Sequence, residues 1–211
     1  MHSESRLFYF IPPFELLEEQ TKHKLAGQKH ILHRIVSLDD GDARPILKGK
    51  KFPKCEFGTT IQMTFTRLGF MITTENFIGQ PQDKTLYQST LKLFYQRMGR
   101  YPKRAITDQG FRSRKNLTHN PKSIEHIFMG KSEDVPEEEQ DYCRSARSAT
   151  EGFIAVAKNL RGFRKSMYPN LTGHHIWALL CQTAYNLKKF LQLYRQEKIP
   201  ESALLKLGLL S

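Results

Sequence analysis

Acidic residues are the scarce class in this chain: 21 Asp and Glu stand against 33 Lys and Arg in 211 residues, for a formal charge of +12. A polyanionic partner is the first inference from that imbalance, although basic soluble domains without one are common. Cysteine is scarcer still. Cys55, Cys143 and Cys181 are odd in number, far apart and never spaced as C-x-x-C, which speaks against a disulfide framework and a zinc site. No run approaches the roughly 18 apolar residues that a membrane span needs, and Met1 to Arg6 lacks the basic-then-apolar form of a signal peptide. The chain therefore reads as cytosolic, with no membrane partner. In that setting Asn116-Leu117-Thr118 and Asn170-Leu171-Thr172 match the glycosylation triplet by chance. Also missing are G-x-S-x-G, G-x-x-x-x-G-K-[ST] and G-x-G-x-x-G, so serine hydrolysis and nucleotide-driven chemistry find no support. His174-His175 has no acidic residue at a recognisable spacing and reads as helix-start polarity or a DNA-facing surface.

What is present is enough for a folded domain, or one domain with a helical appendage: 39% of residues are apolar and 26% charged. Leu7-Phe8-Tyr9-Phe10-Ile11 stops at Pro12-Pro13 and reads as a strand or a ragged leading end. Apolar spacing from Phe14 to His33 predicts a helix broken near Gly27. Asp39 to Pro45 is a polar, turn-rich loop, and Lys48-Gly49-Lys50-Lys51 a basic tip. Phe57 to Thr66 and Leu68 to Ile78, rich in Thr, Ile, Phe and Met, predict an antiparallel hairpin. Asp83 is placed to cap a helix running to about Met98, with Leu86, Thr90, Leu93, Phe94 and Met98 inward. Gly99 to Pro102 ends it, and Arg104-Ala105-Ile106-Thr107 is a short strand whose end carries Asp108.

Residues 112–142 are polar and predict a loop with a little local structure. The last third is helical and basic: residues 142–211 hold eleven Lys and Arg against three Asp and Glu, which is +8 of the +12. One helix is predicted from about Tyr142 to Leu160. A second, from about Gly173 to Gln196, has Ile176, Leu179, Leu180, Thr183, Leu187, Phe190, Leu191 and Tyr194 on one stripe, and Trp177 opens that stripe as a core residue. On the first of these helices Arg144, Glu151 and Lys158 fall within about 60° of Arg147, one carboxylate flanked by cations. A surface ion-pair ladder accounts for that pattern as well as a site does. For Asp108, a turn aspartate before Gly110 is the alternative to a residue at a strand's carboxyl end, where the sites of α/β sheets gather.

Arg147-x3-Glu151-x6-Lys158 is similar to the Y-x2-R-x3-E-x6-K signature of DDE transposases from bacterial insertion sequences, with Arg144 at the tyrosine position. Thr150-Glu151-Gly152 and Leu160-Arg161-Gly162-Phe163-Arg164 resemble the surrounding text. Ile106 to Phe111 resembles the strand end that carries the family's second catalytic aspartate. Asp42-Ala43-Arg44, Gly79-x-Pro-x-Asp83 and Trp177 to Leu187 agree in the same order. The likeness covers about Arg34 to Tyr194.

The resemblance implies an α/β, ribonuclease-H-like mixed sheet with a helical C-terminal part over residues 34–196, after a helical lead-in at 1–33 and before a tail at 197–211. It implies carboxylates that hold two Mg²⁺ (or Mn²⁺) ions, with Asp108 the second and Glu151 the third catalytic and metal-ligating residue. Arg147 and Lys158 would orient Glu151 or meet phosphates, and Arg144, Arg161, Arg164 and Lys165 would add DNA contacts. The implied partner is double-stranded DNA, element ends and target, cut and joined by a homo-oligomer in the cytoplasm at the nucleoid. The family's first carboxylate lies on a first strand, just before a small residue and a threonine, and that text is not found. Asp39, Asp40 and Asp42 are the substitutes on offer. The expectation is instead that the reading frame lacks the DNA-binding domain, the first strand and the first aspartate, which would leave cutting very low or absent. The rival reading is a non-catalytic, DNA-binding truncated transposase whose basic tail, with Phe163, Tyr168 and Tyr185 among its cations, holds phosphates. An RNA-associated protein is the third, and no RNA-recognition motif supports it.

Overall fold

The computed structural model describes residues 4–32, 34–47 and 55–202, so the basic tip at 48–51 lies outside the described residues. The expected hairpin is present. Strands β2 (Cys55–Phe65) and β3 (Met71–Ile78) pair antiparallel from Thr59↔Ile78 to Phe65↔Met71. A short strand β1 (Arg44–Leu47), read from the sequence as loop, pairs with the other edge of β2. Four residues that include a proline carry little strand signal of their own; the edge of β2 supplies it, and only Ile46 is buried.

Two parallel strands, β4 (Arg104–Thr107) and β5 (His126–Met129), form a second sheet. Among the described residues the strands are therefore an antiparallel three-stranded sheet and a parallel pair rather than the single mixed sheet expected, within a mixed α/β architecture. β5 and a one-turn helix α3 (Arg114–Thr118) lie in the stretch read as loop, where polar composition hid a strand that only its neighbour completes.

The parallel pair is sandwiched between two helices, and strand alternation explains how. Ala105, Ile127 and Met129 face α2 (Asp83–Met98), where Tyr87 and Leu91 are buried among them. Ile106 and Phe128 point the other way, to Cys143 of α4 (Glu137–Leu160). Burial pushes the Tyr87 phenol up to about 12, and its hydroxyl donates to Asn120 Oδ1 at 2.8 Å. On α2 the core side is thus Leu86, Tyr87 and Leu91, whereas Met98, expected inward, is exposed. Gly99, at φ 67°, ends the helix by donating to the Tyr95 carbonyl. Helix α4 begins five residues before the predicted start, with Glu137, Glu138 and Glu139 in its first turn, where carboxylates suit the helix dipole.

The last helix, α5 (Asn170–Arg195), corrects the sequence reading most sharply. Its sheet-facing side is Ala178, Cys181 and Tyr185, buried with Met71, Ala157 and Phe163. Between them come amides that cap the free edge of β3. Asn186 Oδ1 accepts from Met71 N at 2.8 Å, Asn186 Nδ2 donates to Met71 O at 2.7 Å, and Gln182 Nε2 donates to Met71 O and Ile72 O, each at 3.0 Å. An edge strand needs partners for its peptide groups, and two amides satisfy them where leucines cannot. The apolar stripe consequently faces outward. Trp177 sits half-buried at the rim, its Nε1 donating to Gly162 O at 2.9 Å.

At the other end of the chain α1 (Glu4–Leu25) takes in the aromatic run read as a strand or ragged end; it ends just before Gly27, where the break was expected, but residues 28–32 do not resume the helix. Its buried Gln20 accepts from Ile35 N at 2.9 Å. The three thiols are free, and no helix among the described residues is long and apolar enough to cross a membrane.

Replacing Asn186 by Leu removes the acceptor of Met71 N and leaves Met71 O with Gln182 alone of its two amide donors. The expected loss is about 1 to 3 kcal/mol, read as a lower urea midpoint with an unchanged slope.

Candidate functional site

Asp108 and Glu151 belong to different elements, and two pairs of charged side chains fix how those elements lie. At the start of β4, Arg104 Nε and Nη2 donate to Glu139 Oε2 and Oε1 at 2.8 and 2.6 Å, a two-pronged bond to the first turn of α4. The ring of Tyr142 lies 4.8 Å beneath the same guanidinium. At the end of β4, Arg147 of α4 reaches Asp108. From Arg104 to Asp108 is four residues of extended chain, about 13 Å, and from Glu139 to Arg147 is eight residues of helix, about 12 Å. The two rises match, so one ion pair at each end holds strand and helix side by side, running in the same direction.

The second of those pairs is the candidate site. Arg147 Nη2 lies 3.2 Å from Asp108 Oδ1 and 3.1 Å from Glu151 Oε1. Because both distances end on one nitrogen, the two carboxylate oxygens can be no further apart than those distances laid end to end. Asp108 Oδ1 also accepts from Gln109 N at 2.7 Å, which starts the single 3-10 turn at 109–111 and fixes the carboxylate at the strand's end. Arg147 Nε is buried and has no hydrogen-bond partner among the described residues. The guanidinium is thus held for the sake of its outer edge, where it faces two negative charges.

A third carboxylate stands close by. Asp83 was expected to cap α2, but the capping position is Gln82, which makes no side-chain cap, and Asp83 is the first helical residue. A Cβ built on Gly110 would lie 2.5 Å from Asp83 Oδ2, so the glycine two residues beyond Asp108 lets this carboxylate approach. Burial, and secondarily the charge on Asp108, push the Asp83 carboxyl above its usual range. From the other side Gly130, at φ 79°, brings the end of β5 against Gln109, where a Cβ would meet the Gln109 nitrogen at 2.9 Å.

The other candidates go elsewhere. Asp40 and Asp42 cap α5: Asp40 Oδ1 accepts from Asn170 N at 3.1 Å, and Asp42 Oδ2 accepts from Leu171 N at 2.8 Å. Asp40 Oδ2 lies 3.0 Å from His174 Nε2, and His174 Nδ1 is 2.9 Å from Thr59 Oγ1. His174 therefore has an acidic partner, one that chain spacing could not show, and its side chain is buried between Asp40 and Thr59. Asp40 and Asp42 hold a helix terminus, and Asp39 and Asp40 line the groove described next. Arg144 pairs with Asp141 at 2.6 Å, and Arg161 donates to the Leu160 carbonyl at the end of α4.

Lys158, Arg164 and Lys165 do converge. With Asp83 they line an open groove of about 1450 Å³ that runs between the sheet and the α4–α5 connection. Among the described residues, no group of three Asp, Glu, His or Cys side chains is arranged to hold a metal ion. What the arrangement offers is a pair of hard oxygen donors with a cation already between them and a basic groove that begins beside their neighbour Asp83.

The contacts of Arg104, Glu139 and Asp83 escaped the sequence reading because no local signal joins residues that meet across three elements. The hydrogen bond from Arg104 holds the Glu139 carboxyl below the usual range, against the opposing effect of its burial. Its contribution to stability is present above the unfolded value near pH 4 and fades as pH falls through the lower folded value. A Glu139→Gln variant is expected to melt earlier than the parent at pH 7, with the deficit closing on acidification, as thermal melts over pH 2 to 7 will show. Comparison with protein-family models, with curated protein sequences and with solved structures returned no match for this chain.

Proposed function

We propose that the chain is the catalytic-domain portion of a DDE-type transposase with a ribonuclease-H-like core, and that it engages double-stranded DNA in the groove that begins beside Asp83, the neighbour of Asp108. The observation that carries this reading is the meeting of Asp108 and Glu151 on one guanidinium nitrogen. Those two carboxylates are the ones the resemblance picks out, and they need not have met. The order of elements agrees with it: an antiparallel hairpin, a helix, a parallel strand ending in Asp108, then a long helix bearing Glu151.

The donor chemistry fits a divalent ion. Carboxylate oxygens are the ligands that Mg²⁺ and Mn²⁺ prefer, and the place between them attracts positive charge, as Arg147 demonstrates. Asp108 and Glu151 would hold such an ion, which when bound supplies activation of water or a 3′-hydroxyl and stabilises the leaving oxygen. The chain's own residues do the positioning. Arg147 orients both carboxylates from α4, while Lys158, Arg164 and Lys165 hold phosphates along the groove and set the strand's path without reading its bases. Gly110 and Gly130 keep the Asp108 turn close enough for this to work.

A second reading has its own observation. With no three-residue ligand group among the described residues, the protein can bind DNA without cutting it. One experiment separates the two. Supercoiled plasmid incubated with Mg²⁺ or Mn²⁺ is expected to be nicked slowly by the parent chain and not by Asp108→Asn or Glu151→Gln. In parallel, changing Lys158, Arg164 and Lys165 to Ala should weaken duplex binding and reduce the salt slope of log K by roughly 3. Binding that follows this slope without nicking at any metal concentration leaves the non-catalytic reading. Binding and slope unchanged by the triple substitution overturn the groove assignment.

A further inference from the structure

The place between Asp108 and Glu151 is already taken by a cation of the protein's own. Arg147 Nη2 stands 3.2 Å from Asp108 Oδ1 and 3.1 Å from Glu151 Oε1. Mg²⁺ or Mn²⁺ held by the same two oxygens would take them at about 2.1 Å, inside the guanidinium's distance, and would carry charge of the same sign. The two cations therefore compete for one seat. With Arg147 in it the three side chains carry a single net negative charge, and with Arg147 withdrawn the carboxylates offer two, the match for a divalent ion.

How easily Arg147 leaves depends on what else holds it. Among the described residues the two carboxylates are its only polar partners, and its Nε is buried without one. The arginine side chain is 41% exposed and each carboxylate 65%, so both ion pairs open to water, where such pairs are weak. A phosphate is a better partner for a guanidinium, because its oxygens match the flat fork of N–H groups. The same helix leads a polyanion there. Lys158, which lines the basic groove, lies 11 residues beyond Arg147 on the same face of α4, about 16 Å along its axis.

We propose that Arg147 is a displaceable counter-ion: it closes the Asp108–Glu151 pair to a divalent cation in the free protein, and a phosphate of a bound strand opens the pair by taking the guanidinium. This rests on the reading that the pair holds Mg²⁺ or Mn²⁺ and that a polyanion lies in the groove. Metal and nucleic acid then bind cooperatively, each tightening the other by the same factor, and the metal is loaded only where there is a strand to act on.

The test follows Mn²⁺ binding to the full chain by loss of the free-ion electron paramagnetic resonance signal, which needs no turnover. Arg147→Gln is expected to bind Mn²⁺ roughly tenfold more tightly than the parent, whereas Arg147→Lys, which keeps the charge, stays near the parent. A short DNA duplex should tighten Mn²⁺ binding to the parent by a similar factor and leave Arg147→Gln unchanged, the ion held by the duplex itself being taken from the same titration of Asp108→Asn. Sodium sulfate at equal ionic strength should not replace the duplex. Mn²⁺ binding that Arg147→Gln leaves equal or weakens overturns the proposal while the metal reading stands. So does a parent chain whose Mn²⁺ affinity is indifferent to the duplex, a measurement that needs no arginine variant. A rise that sulfate gives equally overturns the part assigned to the strand. Mn²⁺ binding that neither Asp108→Asn nor Glu151→Gln reduces is the failure of the metal reading itself, and the proposal falls with it.

Discussion

Two carboxylates do not gather without a positive charge to hold them, and in this protein the charge is Arg147. Its position is not a local matter. Arg104 and Glu139 clamp one end of β4 to the start of α4, and the equal rises of four strand residues and eight helix residues deliver Arg147 to the level of Asp108 at the other end. Glu151, one helical turn further, then meets the same nitrogen. The candidate site therefore sits on the same strand-and-helix contact that packs the parallel sheet. Apolar contacts of Ile106 and Phe128 with Cys143 fill the space between the clamps but have no direction of their own.

The antiparallel sheet is organised by a different need. β3 is an edge strand, and Asn186 and Gln182 satisfy its peptide groups. Once amides occupy the inner face of α5, its leucines have nowhere to go but outward. Asp40 and Asp42 fix the same helix from its N-terminal end and hold the 39–42 loop along the groove. The outward apolar stripe and the capped terminus are therefore two results of the way one helix is seated.

Physical reading of the functional proposals follows from these two seats. The groove places Lys158, Arg164 and Lys165 on the side of Asp83, whose carboxyl is pushed up by burial and by Asp108, so positive and negative fields abut. A polyanion drawn in by the first would be brought beside the second, where it needs a cation to approach carboxylates at all. That requirement is why a divalent ion and a basic track belong to the same hypothesis, and why a chain with the track alone would bind without cutting.

Much of the fold was legible in the sequence because it rests on interactions between near neighbours. The 57–78 hairpin, the helix from Asp83 closed by Gly99, the strand ending at Asp108 and the two C-terminal helices follow from periodicity, turn residues and caps, which act within a few residues. The face shared by Arg147 and Glu151 was legible too, since helical geometry alone puts residues four apart together. What the sequence did not disclose was every choice made between distant elements: that β1 and β5 are strands, that His174 finds Asp40, that Asp83 lies beside Asp108 rather than capping its helix, and that α5 turns its leucines to the outside. Apolar periodicity marks a stripe but not which way it faces, because that depends on what the opposing surface needs. Here the opposing surface was the unpaired edge of a strand, and peptide groups that lack partners outrank a row of leucines.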